Sequence, residues 1–158
     1  MRTGVRVGID VGTVRIGVAR SDFHGMLATP VETVPRQKAP AAAADLGRIT
    51  AIVAELDAVE VIVGLPLALS GRHTASTEDA VAFAATLAGA VAVPVRLVDE
   101  RLSTVSAQAA LRTVGRSTRT QRPVVDQVAA TIILQHALDT ERATGKPAGM
   151  PVELTERP

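Results

Sequence analysis

The chain contains no cysteine, no tryptophan and no tyrosine, and its aromatic residues are Phe23 and Phe83. The absence of cysteine excludes disulfide bonds and thiolate metal sites, and it fits a reducing compartment. So few aromatic side chains disfavour a nucleic-acid binder that works by base stacking. If the chain binds nucleic acid, we expect it to contact the phosphate backbone.

Long apolar runs are also missing. No segment approaches the roughly 20 apolar residues of a membrane-spanning helix. The opening residues MRTGVRVGID do not contain the apolar core of a signal peptide. We therefore expect a cytoplasmic protein without membrane contacts. The length of 158 residues and the hydrophobic fraction of 47% suit one domain with a single core.

The charges are distributed unevenly although the net charge is only +1. No acidic residue lies between Glu100 and Asp126, and this interval holds several arginines: Arg101, Arg112, Arg116, Arg119 and Arg122. A solvated loop is the ordinary explanation for such a run of charge. The alternative is a segment that binds phosphates next to the two flanking acids.

The order of apolar segments predicts an α/β fold. Strands are expected over 5–10, 15–21, 27–34, 59–66 and 93–100, and helices over about 42–56, 76–90, 103–114 and 124–140. Three antiparallel strands followed by crossover units give a mixed five-stranded sheet flanked by helices. Pro30 indicates an edge position for the third strand. Ser76 and Asp79 resemble a capping box, and Pro123 is expected to open the last helix.

The chain is expected to form one domain over residues 1–142. Residues 143–158 show no hydrophobic periodicity and contain internal prolines, so we predict a disordered tail.

Three carboxylates occupy positions that a sheet of this kind could bring together. Asp10 lies in an apolar strand, Glu100 ends the fifth strand, and Asp126 lies in about the first turn of the last helix. Ligand sites in open α/β sheets lie beyond the carboxyl ends of the strands. Acids gathered there repel one another, and a hard divalent cation relieves that repulsion. Two such cations can activate a water and stabilise the leaving oxygen of a phosphodiester, so the set favours metal-assisted phosphoryl chemistry.

Each acid also has an ordinary structural explanation. Asp10 could cap the following turn, Glu100 could be a solvated strand end, and Asp126 could favour a helix dipole. Taken together the three favour a functional site. Other sites have weaker support. The histidines, at positions 24, 73 and 136, have no metal-ligand spacing, and no serine, histidine and aspartate set suggests a hydrolase triad.

Four blocks of the sequence resemble the YqgF/RuvX family. They are GIDVGTVRIGVARSD, VIVGLPLALSG, VDERLSTVSA and VDQVAATIILQ, in the family's order, and the likeness extends to about Leu138. Proteins of this family are described as Holliday junction resolvases and as nucleases acting on the 5′ end of the 16S rRNA precursor. The chain departs from the family at Leu69-Ser70-Gly71, in the loop after Gly-Leu-Pro.

The resemblance implies an RNase H-like fold and a metal-dependent endonuclease. By position it assigns catalysis and binding of Mg²⁺ or Mn²⁺ to Asp10, Glu100 and Asp126. Nucleic-acid contacts are expected from the first hairpin and the basic segment, at Thr13, Arg15, Arg101, Arg116, Arg119 and Arg122. The expected partner is pre-16S rRNA, with pre-ribosomal particles, or branched DNA. Either a monomer or a homodimer is compatible, and a junction resolvase is expected to act as a dimer.

Two other functions remain as alternatives. GIDVGT also resembles the first phosphate motif of the actin, Hsp70 and sugar-kinase group, but those proteins need two such domains and this chain has one such block. A non-catalytic nucleic-acid-binding module is the second alternative. Such a module would be expected to lose the acids, and all three are present.

Overall fold

The computed structural model describes residues 2–37, 44–100 and 118–152, with side chains from residue 125 onward in the last range. Its elements in chain order are β1 (Arg6–Val11), β2 (Arg15–Ser21), β3 (Ala28–Pro35), α1 (Ala44–Glu55), β4 (Glu60–Leu65), α2 (Ala75–Ala90), β5 (Val95–Asp99), α3 (Thr118–Thr144) and β6 (Met150–Pro151).

The strands form one mixed sheet in the order β3-β2-β1-β4-β5-β6. β1, β2 and β3 form the antiparallel meander, while β4 pairs parallel to both β1 and β5. The predicted α/β fold and the edge position of β3 are confirmed. The sheet has one more strand than expected because β6 pairs antiparallel with β5.

Helices cover both faces of this sheet because successive side chains of a strand point to opposite faces. On one face Val7 and Ile9 of β1 pack with residues of α1 and α2, among them Ile49 and Leu87. On the other face α3 packs Ala130, Ile133 and Leu134 against β4, β5 and β2. β4 is buried along its whole length, as expected for a central parallel strand.

Helix α2 begins earlier than its predicted cap. Its N-cap is Thr74, whose hydroxyl accepts from the N–H of Thr77, while the Thr77 hydroxyl accepts from the N–H of Thr74. The prediction of Ser76 and Asp79 as the capping pair is wrong by two positions. Asp79 instead binds Arg36 through two hydrogen bonds of 2.9 and 3.1 Å.

Helix α3 begins at Thr118, so the prediction that Pro123 opens it is wrong. A proline near the N-terminal end removes a single backbone hydrogen bond, so it does not by itself fix the first residue of a helix. Asp126 therefore lies inside the helix and not in its first turn. The predicted helix over 103–114 lies outside the described residues.

The prediction of a disordered tail is wrong for residues 143–152. After α3 the chain returns to the sheet as β6, and the N–H of Val152 donates to the carbonyl of Val95 at 2.8 Å. The Arg96 side chain donates to the carbonyls of Ala148 and Gly149 at 2.7 and 2.8 Å. A two-residue edge strand held by a distant arginine has no periodicity that sequence analysis could detect. Within the described ranges, no helix is both long and apolar enough to cross a bilayer.

Candidate active site

Asp10 lies on the face of β1 that α3 covers. It is half-buried and pairs across the sheet with Gly17 of β2. It shares a face with Gly8, where an added Cβ would contact Leu134 and Ala130 of α3. The carboxylate that interrupts the apolar strand is thus directed toward the helix that carries Asp126.

Glu100 follows directly after β5, and its N–H donates to the carbonyl of Leu65 at 3.3 Å. Since β1, β4 and β5 are parallel, Glu100 lies at the same end of the sheet as Asp10. Gly64 of β4 makes room for it, because an added Cβ would overlap the Glu100 carboxylate and Ile133. Gly64 lies within β4, one residue before its end at Leu65.

Asp126 approaches from α3. Its backbone carbonyl sits directly over Gly17, where an added Cβ would overlap the carbonyl oxygen. Its side chain is 18% exposed and accepts a 2.6 Å hydrogen bond from Nε of Arg15. Two glycines flank Asp10 in the sheet. Gly17 of β2 pairs with it on one side, and Gly64 of β4 lies on the other side, one residue beyond the Ile9–Val63 pair.

The electrostatics show that the three acids are neighbours. Burial, followed by the nearby charge of Asp126, raises the pKa of Asp10 to about 6. Burial, followed by repulsion from Asp10 and Asp99, raises the pKa of Glu100 to about 7. The charge of Asp126 acts on the pKa of Asp10, and the charge of Asp10 acts on the pKa of Glu100. These effects indicate that all three acids lie close together at one end of the sheet. Carboxyl groups shifted in this way by burial and like charge are typical of functional sites.

These residues can offer carboxylate oxygens, which are the ligands that Mg²⁺ and Mn²⁺ prefer. The donor chemistry and the paired repulsions fit a divalent cation. In the described part of the chain, however, no three acidic, histidine or cysteine side chains already surround a single point. The ion pair to Arg15 occupies Oδ2 of Asp126, so a cation at that oxygen would compete with the guanidinium.

The predicted nucleic-acid contacts are only partly described. Thr13 is exposed in the turn between β1 and β2, at the same end of the sheet as the acids. Arg15 follows it, 31% exposed and paired with Asp126. Arg119 and Arg122 lie on the first turns of α3, and their side chains are outside the description. Arg101 and Arg116 lie outside the described residues altogether.

Sequence reasoning missed Arg36, which holds the β1–β2 turn from the side opposite α3. Its Nη1 donates to the carbonyl of Gly12 at 2.8 Å, and its guanidinium also binds Asp79 and stacks 5.4 Å from the Phe83 ring centroid. No local signal marked this residue, because its partners come from distant segments. It fixes the turn that carries Thr13.

Comparisons with known proteins identify the family of the chain. The family model described as "RuvX: Holliday junction resolvase" matches residues 4–140. The chain belongs to the RuvX family. One relative from Leifsonia xyli subsp. xyli, named "Putative pre-16S rRNA nuclease", is 69% identical over 97% of both chains. Relatives with the same name from Clavibacter michiganensis subsp. michiganensis and Thermobifida fusca are 66% and 53% identical, over 94% and 98% of this chain and 91% and 99% of theirs.

A solved structure supports the fold. The RuvX chain is similar to T. thermophilus RuvC in complex with a Holliday junction substrate, with a TM-score of 0.50 and 22% identity. The match covers 91% of this chain and 99% of that one. Similarity at this level of identity establishes the shared RNase H-like architecture and leaves the chemistry to the residues described above.

Proposed function

We propose that this RuvX protein is a divalent-metal-dependent endonuclease that hydrolyses phosphodiester bonds in structured nucleic acid. The observation that carries the proposal is the convergence of Asp10, Glu100 and Asp126 at one end of the sheet, with the pKa values of Asp10 and Glu100 raised by burial and mutual repulsion. The three acids would hold Mg²⁺ or Mn²⁺. When bound, the cations supply an activated water and neutralise charge at the leaving oxygen.

The chain's own residues set the geometry of this reaction. Gly17 and Gly64 let Asp126 and Glu100 approach on either side of Asp10. Arg36 fixes the turn that presents Thr13 to a phosphate. Arg101, Arg116, Arg119 and Arg122 supply positive charge beside the acids in the sequence, which favours phosphate contacts.

The substrate we propose is the 5′ end of pre-16S rRNA, met in the cytoplasm on pre-ribosomal particles. The names of the relatives support it. A second candidate substrate is a Holliday junction, supported by the description of the family model. A monomer suffices for the first substrate, while symmetric cutting of a junction calls for a homodimer. A single nuclease domain, expected over residues 1–142 and extended by the pairing of β6 with β5, is part of the same proposal.

The test compares the wild type with Asp10→Asn on two labelled substrates, a pre-16S 5′-end RNA and a four-way DNA junction, each with Mg²⁺, with Mn²⁺ and with EDTA. We expect metal-dependent cutting by the wild type. The cleavage rate of the variant should fall at least about 10²-fold, because the substitution removes a carboxylate that would hold the metal. Binding of both substrates, measured by fluorescence anisotropy, should survive the substitution.

Asp139→Asn is the matched control, since Asp139 is an exposed residue on α3 remote from the site. It should cut like the wild type. Equal binding without cutting by the wild type and Asp10→Asn would favour the non-catalytic module. Cutting of only one substrate would decide between rRNA processing and junction resolution.

A further inference from the structure

Arg15 lies where its side chain can reach both Asp126 and the solvent-facing rim of the candidate active site. It is the first residue of β2, two residues before Gly17, so its side chain lies on the sheet face that α3 covers. Nε donates to Oδ2 of Asp126 at 2.6 Å. This ion pair links β2 to α3, and the Arg15 side chain is 31% exposed at the rim of the site.

A cation and this guanidinium compete for the same carboxylate. A divalent cation bound to Oδ2 would lie roughly 2 Å from that oxygen. With Nε at 2.6 Å from the same atom, the two positive charges would be within roughly 5 Å of each other and would repel strongly in a partly buried site. A cation at Oδ2 would therefore weaken the ion pair.

The Arg15 side chain has space outside its ion pair with Asp126. Its side chain is 31% exposed, and it borders the turn in which Thr13 and Val14 are exposed. The turn itself is held in place, because the N–H of Gly12 donates to the carbonyl of Arg15 at 2.9 Å and Arg36 binds the carbonyl of Gly12. The guanidinium can thus swing toward solvent without movement of the backbone. A phosphate at the rim offers the bidentate partner that a guanidinium prefers.

We propose that Arg15 couples cation binding to nucleic-acid binding: the cation displaces its guanidinium from Asp126, and the freed guanidinium binds a substrate phosphate. This inference rests on the proposed metal-dependent function. It makes Arg15 a positioning residue that is exchanged between an acid of the site and the substrate. Cation and nucleic acid then bind cooperatively, each favouring the same position of Arg15.

The test measures Mn²⁺ affinity by isothermal titration calorimetry on the full chain, without nucleic acid. Arg15→Gln should bind Mn²⁺ roughly three- to tenfold more tightly than the wild type, because the competing charge is gone. Arg15→Lys keeps the charge and should stay close to the wild type. Arg48→Gln removes an arginine from an exposed ion pair with Glu32 and should change nothing.

A second measurement follows the coupling itself. The affinity for a labelled four-way junction is measured by fluorescence anisotropy in EDTA and in Mn²⁺, read before cleavage. Mn²⁺ should raise the affinity of the wild type more than that of Arg15→Gln. Equal gains in the two proteins, with equal Mn²⁺ affinity, would overturn the coupling.

Asp10→Asn separates this inference from the proposed function. If Asp10→Asn abolishes Mn²⁺ binding while Arg15→Gln leaves it unchanged, the metal site stands and the coupling is wrong. If the wild type itself does not bind Mn²⁺, or Asp10→Asn binds it equally well, the proposed function and the coupling both fail.

Discussion

At the residue scale, Asp10 is the acid of the candidate site that neighbours both of the other two. It pairs with Gly17, over which Asp126 sits, and lies next to Gly64, over which Glu100 sits. Its pKa is raised to about 6 by burial and by Asp126. A buried carboxylate without a bound counter-charge lowers the stability of the folded chain at neutral pH.

This placement predicts how stability depends on pH. The unfolded chain ionises Asp10 near its ordinary pKa of 3.8, while the folded chain does so near 6. The folded state binds more protons between these values, so in EDTA the free energy of unfolding should fall as pH rises from about 4 to about 6. Glu100, with a pKa of about 7, extends the fall toward neutrality.

Asp10→Asn should remove part of this fall. At pH 7.5 in EDTA we expect it to raise Tm by about 3 °C, and to leave Tm unchanged at pH 4, where the wild-type carboxyl is protonated in the folded state. Thermal melts followed by circular dichroism across this pH range provide the measurement. A variant that is less stable than the wild type at pH 7.5 would show that Asp10 has a stabilising partner instead.

At the element scale, the distance between α3 and the sheet decides whether the acids meet. Gly8, Gly17 and Gly64 all lie beneath α3, and an added Cβ at each would meet atoms of the helix or of Glu100. Gly17 faces backbone atoms, which cannot move aside, whereas Gly64 faces the ends of two side chains. A methyl group added at Gly17 should therefore affect stability differently from one added at Gly64.

Gly17→Ala should destabilise the chain by about 2 kcal/mol, because α3 must move away from β2. Gly64→Ala should cost less stability but should displace the Glu100 carboxylate, and so weaken Mn²⁺ binding. Gly47→Ala in α1 is the control, since nothing lies within 4 Å of the added Cβ, and it should stabilise the helix by up to about 1 kcal/mol. Urea unfolding and calorimetry with Mn²⁺ distinguish these effects. Equal losses of stability at positions 17 and 64 would contradict the assignment.

At the scale of the whole molecule, a partly buried ion cluster ties the far end of α3 to the sheet. Glu141 of α3 accepts from Nε and Nη2 of Arg2 at 2.8 and 2.7 Å and pairs with Arg6 at 3.3 Å. Glu60 of β4 also binds Arg2, at 3.0 Å. Arg2 holds the pKa of Glu141 down at about 2. The cluster joins β1, β4 and α3 at the end of the sheet opposite the candidate active site.

Glu141→Gln should lower the free energy of unfolding by about 3 kcal/mol, because it leaves the buried charge of Arg6 with a weaker partner. In the wild type the contribution of Glu141 is fully present above its unfolded pKa of 4.5 and should be lost as pH falls toward 2. Urea unfolding between pH 2 and pH 6 measures both. Asp139→Asn changes an exposed pair with Arg142 and an exposed hydrogen bond from Gln135, and should have little effect. An equal loss in the two variants would contradict the role of the cluster.

The sheet could be predicted from the sequence because its cues are local. Alternating and continuous apolar runs marked β1 to β5, and Pro30 marked the edge. The positions of Asp10 and Glu100 followed from the rule that sites gather beyond the carboxyl ends of parallel strands. These inferences needed only periodicity and chain order.

The remaining features depend on contacts between distant residues. The start of α3, the Thr74 cap and the strand β6 are decided by competing partners that no short segment reveals. The ion pair between Arg15 and Asp126 joins residues 111 positions apart, so the sequence identified both residues without indicating that they bind each other. The roles of Gly17 and Gly64 could not be predicted either, because they depend on the position of α3 over the sheet.

The most direct test of the central claim is the location of a cation by anomalous diffraction from crystals of the full chain soaked in Mn²⁺. We expect an anomalous peak coordinated by carboxylate oxygens of Asp10, Glu100 and Asp126, with the Arg15 guanidinium turned away from Asp126. A peak at a different site, or saturating Mn²⁺ with no peak among these three acids, would contradict it.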